Sequence, residues 1–380
     1  MHDDKFNDHA INIFEICNPN SNKYLIGTFG NGKLKYTKTQ HQNITAANYF
    51  SQAYNEALNN SSYDAVIVHY LDQHKAEALD RIDKKVKKVW FVWGADFYDQ
   101  EMYKGNLFQP ATKKILRKNN RIAKGNVVKR TIRQLYNLVF QRKGVQEFSR
   151  QKYLSAIKSF DYYATVIPTE SALLKELPDF NAHQVFFKYG AIDTMISNEM
   201  YVDRGNINVL VGNSNSSTSN HVDAFEIIKK LDNVHDVVVP LSYGGDMLYK
   251  QAVINYGNEL FGKRFKPLND FMALSEYNEI LKTCQIAIFN HERQQAVGNI
   301  IAMVYMGAKV FLSENSPVYK YLKAIGVKVF SIQTELNNEN IHALSSEEIQ
   351  QNRELVYKEY NIERVIKETI ETLSTINASI

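Results

Sequence analysis

The sequence INVLVGNSNSSTSNH, at residues 207–221, combines a strand pattern, a polar turn and the start of a helix. Residues 207–211 are mostly apolar and β-branched, which is typical of a buried parallel strand. Gly212 ends that run, residues 213–220 are all Asn, Ser or Thr, and His221 opens the amphipathic pattern HVDAFEIIKKL. A tight turn at a helix N-terminus presents free backbone N–H groups and a favourable dipole to an anion. The stretch therefore predicts an anion site, although an ordinary capped turn has the same pattern.

The composition is that of a globular protein with room for two domains. The 380 residues are 44% hydrophobic and 23% charged, and a net charge of +4 is too small to indicate nucleic acid as a partner. Cys17 and Cys284 are the only cysteines, so we expect no disulfide framework and a reducing compartment. The polar, acidic N-terminus is unlike a signal peptide, and no apolar run approaches the ~20 residues that span a bilayer. These features predict a protein that is soluble in the cytoplasm or bound to a membrane surface.

Strand patterns alternate with helical patterns, which predicts an α/β fold with parallel, doubly wound sheets. In the first half we expect a helix at 44–58, a turn at 30–32 and strands at residues 10–17, 23–29, 34–37, 64–70, 87–93, 161–168 and 184–189. In the second half we expect helices at 246–256, 270–283 and from 345 onward, and strands at residues 207–211, 236–240, 261–265, 285–289, 309–312 and 327–332.

A cluster of chemically useful residues follows the strand at residues 87–93. Ligands of open α/β sheets bind beyond the carboxyl ends of the strands. Asp96 is therefore the candidate catalytic residue, as a general base for an acceptor hydroxyl, with a helix cap as the alternative. Trp93, Gly94 and Tyr98 are the candidates for the acceptor side.

The second half has small or polar loops after three strands, at residues 212–220, 241–245 and 290–299. Two stretches of these loops could hold a diphosphate, at residues 212–220 and 293–299. Arg293 supplies a fixed bidentate charge for phosphate, and Tyr243 an aromatic face for a base or sugar. A polar surface loop is the alternative at 290–299. The candidate donor-binding residues are Gly212, Asn213, Ser214, Asn220, Tyr243, Glu292, Arg293, Gln294, Gln295 and Gly298.

Residues 113–152 are strongly basic, with Glu147 as their only acidic residue. Interleaved apolar residues indicate basic amphipathic helices, which bind anionic membrane surfaces or a pyrophosphate-linked acceptor. A solvated charged face is the simpler alternative. Nucleic acid is disfavoured because no nucleic-acid module accompanies the charge.

Two Rossmann-like halves without GxGxxG or a Walker loop describe the GT-B architecture of glycosyltransferases, in which two domains face each other across a cleft. We expect an acceptor-side domain at 1–195, a domain for the nucleotide sugar at 205–345, and terminal helices at 346–380 that pack back across both. The nucleotide sugar is a co-substrate, so no cofactor is expected. No acidic pair of the DxD type ends a strand of the second half, which predicts catalysis without a metal.

Four motifs resemble one bacterial family in their order and spacing: WGADFY at 93–98, LVGNS at 210–214, VVPLSY at 238–243 and RQQAVG at 293–298. The family transfers 4-acetamido-4,6-dideoxygalactose (Fuc4NAc) from a dTDP donor to a polyprenyl-pyrophosphate disaccharide in the synthesis of enterobacterial common antigen. The resemblance implies a GT-B fold, a dTDP- or UDP-linked deoxyamino sugar, a lipid-linked saccharide acceptor and peripheral attachment to the inner face of the cell membrane.

Three other functions fit the same residues. The first is another GT-B transferase of capsule or lipopolysaccharide assembly that uses a different sugar. The second is a non-catalytic adaptor that binds a nucleotide sugar or a membrane surface. The third is an epimerase of GT-B shape, which would need no lipid acceptor.

Overall fold

The computed structural model describes residues 1–29, 32–59, 63–98, 107–125, 150–197 and 199–378, with the backbone alone at 119–125. The chain divides into two compact units. Of the described residues, the first unit holds those up to 98, 150–194 and 358–378, and the second holds 107–125 and 195–357.

The strands of the described residues all pair in parallel. They are β1 (Tyr24–Thr28), β2 (Ile44–Asn48), β3 (Ala65–His69), β4 (Lys87–Val92), β5 (Tyr162–Thr165), β6 (His183–Gln184), β7 (Ile207–Val211), β8 (Val234–Pro240), β9 (Phe265–Leu268), β10 (Ile286–Phe289), β11 (Lys309–Leu312) and β12 (Phe330–Ser331).

The helices connect these strands and close the chain. They are α1 (Asn7–Cys17), α2 (Gln52–Leu58), α3 (Gln73–Leu79), α4 (Ala95–Tyr98), α5 (Pro110–Gly125), α6 (Arg150–Lys158), α7 (Ser171–Leu174), α8 (Ile192–Met195), α9 (His221–Ile228), α10 (Met247–Phe261), α11 (Leu274–Lys282), α12 (Val297–Met306), α13 (Pro317–Ala324), α14 (Ser346–Tyr360) and α15 (Ile362–Asn377). Short 3-10 turns cover Pro168–Glu170, Ser217–Ser219 and Gly262–Arg264.

In the first unit, the described strands form a four-stranded sheet in the order β3-β4-β5-β6 and a pair, β1-β2. Helices α1 and α15 pack together against the larger sheet, where Phe14, Phe91 and Phe187 stack with ring centroids 4.7 to 6.3 Å apart. This aromatic stack is the core that fixes the ends of β3 and β4, where the candidate base was expected.

The strand predicted at residues 10–17 is wrong, because this stretch belongs to α1. Its β-branched residues favour a strand, but its buried positions have helical spacing. Ala10, Ile11, Ile13 and Phe14 are buried, whereas Ile16 is exposed. Spacing of this kind covers one face of a helix, and here it outweighs the strand propensity.

The helix predicted at 44–58 is also wrong in its first half, which forms β2 beside β1. Ser51 separates strand from helix, since its side chain accepts the Tyr54 N–H at 3.2 Å and begins α2. The predicted turn at 30–32 does not join an antiparallel pair, because β1 and β2 are parallel; residues 30 and 31 lie outside the described residues. Residues 34–37 form no strand, since their N–H groups bind the carboxylate of Asp3 instead of a ladder.

The strand predicted at 184–189 is shortened to β6 because a helix takes over its hydrogen bonds. The Thr372 hydroxyl of α15 accepts the Phe186 N–H at 3.1 Å and donates to the Phe186 carbonyl at 2.7 Å. The Thr372 hydroxyl thus binds the backbone groups of Phe186 that a neighbouring strand would otherwise bind.

In the second unit, the described residues form a six-stranded sheet in the order β12-β11-β10-β7-β8-β9. The predicted six-strand array is confirmed, with three local differences. The predicted strand at 261–265 lies later, as β9; the helix predicted from 270 begins at Leu274; and the strand predicted at 327–332 is only β12.

The basic segment departs from the expected domain boundaries, because residues 107–125 belong to the second unit. Ala111, Ile115 and Leu116 pack against the core of its sheet. The Asp223 carboxylate of α9 accepts the N–H groups of Ala111 and Thr112 at 2.8 and 2.9 Å, which caps the start of α5. The terminal helices are divided between the units, since residues 346–357 belong to the second and residues 358–378 to the first.

A buried ion network fastens α15 to the first unit. Lys188 is 8% exposed, lies 2.9 Å from a carboxylate oxygen of Glu368 and donates to the Glu359 carbonyl at 2.7 Å. Arg364 lies 2.6 Å from the other oxygen of Glu368. Removal of one partner of such a network leaves a charge buried without compensation.

We therefore expect Lys188→Met to lower the free energy of unfolding by about 3 kcal/mol, because Glu368 loses its buried counter-ion. Urea denaturation followed by circular dichroism measures the loss. Lys158→Met is the matched control, since the Lys158–Asp179 pair is exposed and such pairs contribute at most about 1 kcal/mol. Equal losses in the two variants would contradict this account of the network.

Candidate functional site

The sheet of the second unit has one topological switch point, between β7 and β10. After β7 the chain adds β8 and β9 on one side, and it then returns to place β10 on the other side. Ligands of open α/β sheets bind beyond the carboxyl ends of the strands at this position. The loops that leave it are residues 212–220 after β7 and 290–296 after β10, which are two of the loops singled out in the sequence.

Gly212 begins the first loop in a conformation that favours glycine. Its φ is +69°, and a Cβ there would lie 2.9 Å from Nε2 of His221. Its N–H donates to the Ile288 carbonyl at 2.9 Å, so the turn is held against β10. The turn brings the backbone and the His221 ring together at the switch point.

Both loops are polar and yet buried, so the surface-loop alternative does not hold for residues 290–295. Polar side chains are removed from water only where other groups replace the lost hydrogen bonds. The buried polar residues of the two loops are Asn213, Ser214, Asn215, Thr218, Ser219, Asn220, Asn290, His291, Arg293, Gln294 and Gln295.

Gln295 joins the two loops through three hydrogen bonds. Its Nε2 donates to Oδ1 of Asn213 at 3.0 Å and to Oγ of Ser219 at 3.2 Å, and its Oε1 accepts the Thr218 hydroxyl. Asn213 in turn donates to the Tyr243 hydroxyl at 3.0 Å. The structure thus brings together Asn213, Tyr243 and Gln295, all three predicted to contact the donor.

The loop after β8 lies against the first loop. The Asn215 N–H donates to the Tyr243 carbonyl at 2.8 Å, and Asn215 Nδ2 donates to the Asp246 carbonyl at 3.1 Å. Gly245, with φ +60°, lies so close that a Cβ would be 2.0 Å from the Asn215 carbonyl oxygen. Glycine is therefore needed to bring this third loop to the switch point.

Asn220 and Glu292, predicted to contact the donor, bind other parts of the protein. Asn220 Nδ2 donates to the carbonyls of Asn290 and Leu107 at 2.9 and 3.2 Å, and its Oδ1 accepts the Gln109 N–H at 2.9 Å. The Gln109 and Asn290 side-chain amides exchange two hydrogen bonds, at 2.8 and 2.7 Å.

The Glu292 carboxylate accepts hydrogen bonds from Gln109, Ser313 and Asn315. The roles of Asn220 and Glu292 in the structure are therefore to fasten the segment that begins at residue 107 to both loops.

The second loop ends at the N-terminus of α12. Ala296 adopts a left-handed conformation, with φ +61°, and Val297 begins the helix. The first-turn N–H groups of a helix have no intrahelical acceptor, and the dipole favours negative charge there. Gly298 lies in this first turn and is exposed, with no atom nearer than 4.0 Å to the position of a Cβ.

Two histidines at the switch point were not among the predicted site residues. His221 and His291 are buried, and His221 Nε2 and both ring nitrogens of His291 have no hydrogen-bond partner among the described residues. Gln294 Oε1 is buried without a partner in the same sense. A histidine two residues after a buried strand was the available sequence signal for His291.

Asp96 lies in the first unit and is 2% exposed. Its Oδ2 accepts the Leu71 N–H and the Trp90 indole N–H, and its Oδ1 accepts the Trp93 N–H, all at 2.9 Å. Burial raises its pKa to about 6 although these donors oppose the rise. The carboxylate thus joins the ends of β3 and β4, and its role as a base stays a prediction.

The predicted acceptor-side residues also bind their own unit. The Trp93 ring packs edge-on against Phe6 and Tyr189, and the Gly94 carbonyl accepts the Tyr98 N–H at 2.7 Å. The Tyr98 hydroxyl donates to the Glu170 carboxylate at 2.8 Å, and both side chains are buried.

The start of α5 differs from the amphipathic helix that was expected to bind a membrane surface through its apolar face. Its apolar residues Ile115 and Leu116 pack inward, whereas Lys114, Arg117 and Lys118 are exposed. Residues 126–149, the remainder of the predicted basic helices up to 149, lie outside the described residues. No helix in the described part of the chain is long and apolar enough to cross a membrane.

The chain is similar to known glycosyltransferases by two comparisons. A family model described as 4-alpha-L-fucosyltransferase, glycosyl transferase group 56, matches residues 173–358. Anabaena HepE, solved with UDP and glucose, has a TM-score of 0.61 at 11% identity, with 97% of this chain and 95% of that chain covered.

Two further structures agree. A glycosyltransferase from Rickettsia africae has a TM-score of 0.57 at 11% identity, over 97% of this chain and 94% of that one. The trehalose-6-phosphate synthase OtsA has a TM-score of 0.59 at 9% identity, over 97% and 93%. At such identities the likeness shows the fold, which is GT-B as the sequence predicted.

The chain is a glycosyltransferase. The matched family model supports the fucosyltransferase type. The residues of this enzyme that the family model matches include all three loops at the switch point, 212–220, 241–245 and 290–296.

Asp96→Asn separates a structural role from a catalytic one. The new side-chain NH₂ group faces one of the N–H groups from which Asp96 accepts a hydrogen bond, so we expect the free energy of unfolding to fall by about 1–3 kcal/mol. If Asp96 is also the general base, the substitution is expected to lower sugar transfer by the folded enzyme ~10²-fold or more. Urea denaturation and sugar transfer per folded molecule are the two measurements.

The pH dependence of Asp96→Asn provides a check. Because the pKa of Asp96 is raised to about 6 in the folded protein, its contribution to the free energy of unfolding is present below pH 4 and is lost as the pH rises to 6. The stability gap between wild type and variant is therefore expected to narrow over this range. Transfer per folded molecule that stays within threefold of wild type would contradict the assignment of Asp96 as base.

Proposed function

We propose that the enzyme transfers a deoxyamino sugar of the Fuc4NAc type from a dTDP- or UDP-linked donor to a saccharide on polyprenyl pyrophosphate, in the assembly of a bacterial surface polysaccharide. The observation that carries the donor half is the pair of buried polar loops at the switch point, joined by Gln295. Such loops supply fixed donors to an anion at the position where α/β sheets bind ligands.

The donor's diphosphate is the group that the loops fit. When a sugar leaves a nucleoside diphosphate, negative charge builds on the departing phosphate and needs donors already in place. The backbone N–H groups of Asn213 and Ser214, those of the first turn of α12 and the Arg293 guanidinium would supply such donors at the carboxyl end of the sheet. HepE, with the same fold, is described with UDP and glucose bound.

The sugar is proposed from the family model and the motifs together. The model is named for L-fucose, which is 6-deoxy-L-galactose, and Fuc4NAc is an acetamido derivative of 6-deoxy-D-galactose, so the two sugars share the 6-deoxygalactose constitution but have opposite hands. The motif resemblance independently favours Fuc4NAc and a dTDP donor.

The acceptor and the membrane are proposed from the resemblance and from α5. Because Ile115 and Leu116 are used in packing, the described part of α5 offers an anionic surface only its exposed side, with Lys114, Arg117 and Lys118. Each such residue near an anionic surface contributes about 1 kcal/mol. We propose peripheral, electrostatic attachment at the inner face of the cell membrane, close to a pyrophosphate-linked acceptor.

Arg293→Ala tests the donor site. We expect transfer to fall ~10²–10³-fold, because a charged donor to the leaving diphosphate is lost, and UDP and dTDP to bind more weakly. Transfer of sugar from dTDP-Fuc4NAc to a polyprenyl-pyrophosphate disaccharide, and calorimetric titration of each nucleotide, measure the two effects.

Arg264→Ala is the matched control for Arg293. Arg264 lies in the same unit but donates to the carbonyl of Val234, the first residue of β8. It therefore lies at the amino end of this strand, whereas the loops follow the carboxyl ends of their strands. Its removal is expected to leave nucleotide affinity unchanged. If Arg293→Ala keeps wild-type affinity and transfer while folded, the donor site lies elsewhere.

A metal chelator tests the expectation of metal-free transfer. The charge of the leaving diphosphate would be balanced by Arg293 and the helix N-termini, so we expect EDTA to change the transfer rate less than twofold. Added Mg²⁺ and Mn²⁺ are the control. A tenfold loss in EDTA that Mg²⁺ restores would contradict the proposal.

A further inference from the structure

Two imidazoles lie buried at the switch point without the partners that buried histidines normally have. His221 is 0% and His291 1% exposed. Nδ1 of His221 lies 3.1 Å from the Tyr249 hydroxyl, but its Nε2 and both nitrogens of His291 have no partner among the described residues. Buried polar atoms of this kind require a reason, of which a ligand is one.

The geometry directs the pair toward the donor loops. Nε2 of His221 faces the turn at Gly212, at 2.9 Å from where a Cβ would stand. His291 is the second residue after β10, with its ring centroid 5.9 Å from that of Phe289, and is close enough to His221 and Arg293 for their charges to interact. The pair therefore lies at the place proposed for the diphosphate.

The charged groups around the pair come from three elements. Arg293 lies on the same loop as His291, Asp223 on α9, and Asp246 at the start of α10, beside the neutral Tyr249. Asp223 accepts N–H groups of α5, and Asp246 caps α10 by accepting the Tyr249 N–H. Glu292 is bound by Gln109, Ser313 and Asn315. Within the described ranges, no carboxylate forms an ion pair with either ring.

Both imidazoles are neutral when the site holds no anion. Burial lowers the pKa of His221 from 6.5 to about 3. Burial, the charge of Arg293 and a charge on His221 together lower the pKa of His291 well below 6.5. At neutral pH each ring is therefore expected to carry a single N–H and no charge until an anion binds.

We propose that His221 and His291 bind the diphosphate of the donor and together take up one proton when it binds. This inference rests on the proposed function, since it assigns the anion to that donor. One proton is taken up and not two, because the rings interact with each other and with Arg293.

The charge of the ligand is sufficient to drive this uptake. Opposite unit charges about 4 Å apart in a protein attract each other by an amount equal to roughly three pKa units. A diphosphate brings two or more negative charges to the loops. Its binding thus raises the pKa of the nearer imidazole into the neutral range and turns the ring into a charged donor.

The proton also favours the reaction. A nucleoside diphosphate that has lost its sugar carries one more ionisable oxygen than the donor did. A protonated imidazole beside it is attracted more strongly to the product and to the transition state that leads to it than to the ground state. The pair acts here through charge and hydrogen bonding, and no covalent step is assigned to it.

Calorimetric titration of the intact chain with UDP and dTDP at pH 7.5 tests the proposal directly. The titration is repeated in HEPES, triethanolamine and Tris, which are not anions of the phosphate type and whose heats of ionisation differ, so that the protons exchanged can be counted. The terminal phosphate, whose pKa is about 6, is ionised at this pH and contributes little. We expect an uptake of between about a half and one proton, and an affinity that falls up to about tenfold between pH 7.5 and 8.5.

The variants assign the proton to the pair. Asparagine keeps a neutral donor and acceptor but cannot be protonated, so His221→Asn with His291→Asn is expected to abolish the uptake and to flatten the pH dependence. His235→Asn is the matched control, because the His235 side chain is 55% exposed on β8. It is expected to behave as wild type.

The outcomes separate this inference from the proposed function. Nucleotide binding without proton uptake by the wild-type chain overturns the inference and leaves the function standing. Failure of both nucleotides to bind overturns both. Uptake that persists in a folded double variant overturns the assignment to these histidines, and the wild-type proton count decides the matter if the double variant does not fold.

Discussion

The structure of the site depends on three hydrogen bonds made by one side chain, Gln295. Each loop at the switch point carries buried polar groups, and a buried polar group without a partner is costly. Gln295, in the loop after β10, supplies hydrogen-bond partners to Asn213, Ser219 and Thr218 in the loop after β7. Because the loops satisfy each other, they hold their shape before any ligand arrives, which is the preorganisation that sugar transfer needs.

The same constraint explains why a segment from the first half of the sequence lies on the second unit. Asn220 and Asn290 are buried and need partners, and Gln109 supplies them; it also donates to the half-buried Glu292. The Asp223 carboxylate then begins α5 on the sheet's own core. The basic residues of α5 are thereby attached to the half of the enzyme that holds the polar loops.

The sequence alone predicted the GT-B fold and the position of the loops, because strand patterns alternate with helical patterns and the polar runs come directly after the strands. It failed at residues 10–17, where helical spacing outweighed β-branched composition, and at 184–189, where Thr372 replaced a strand. Within the site, sequence could not tell which polar side chains bind the protein. That depends on partners distant in the chain, as Asn220 shows.

The amide ring of Gln109 and Asn290 has a consequence for the variation that the fold tolerates. Each amide both gives and receives a hydrogen bond, so neither position accepts an acid or an apolar residue while the other stays unchanged. In homologous sequences, substitutions at these two positions are expected to covary. A lone change at either one would loosen the polar loops without touching the nucleotide.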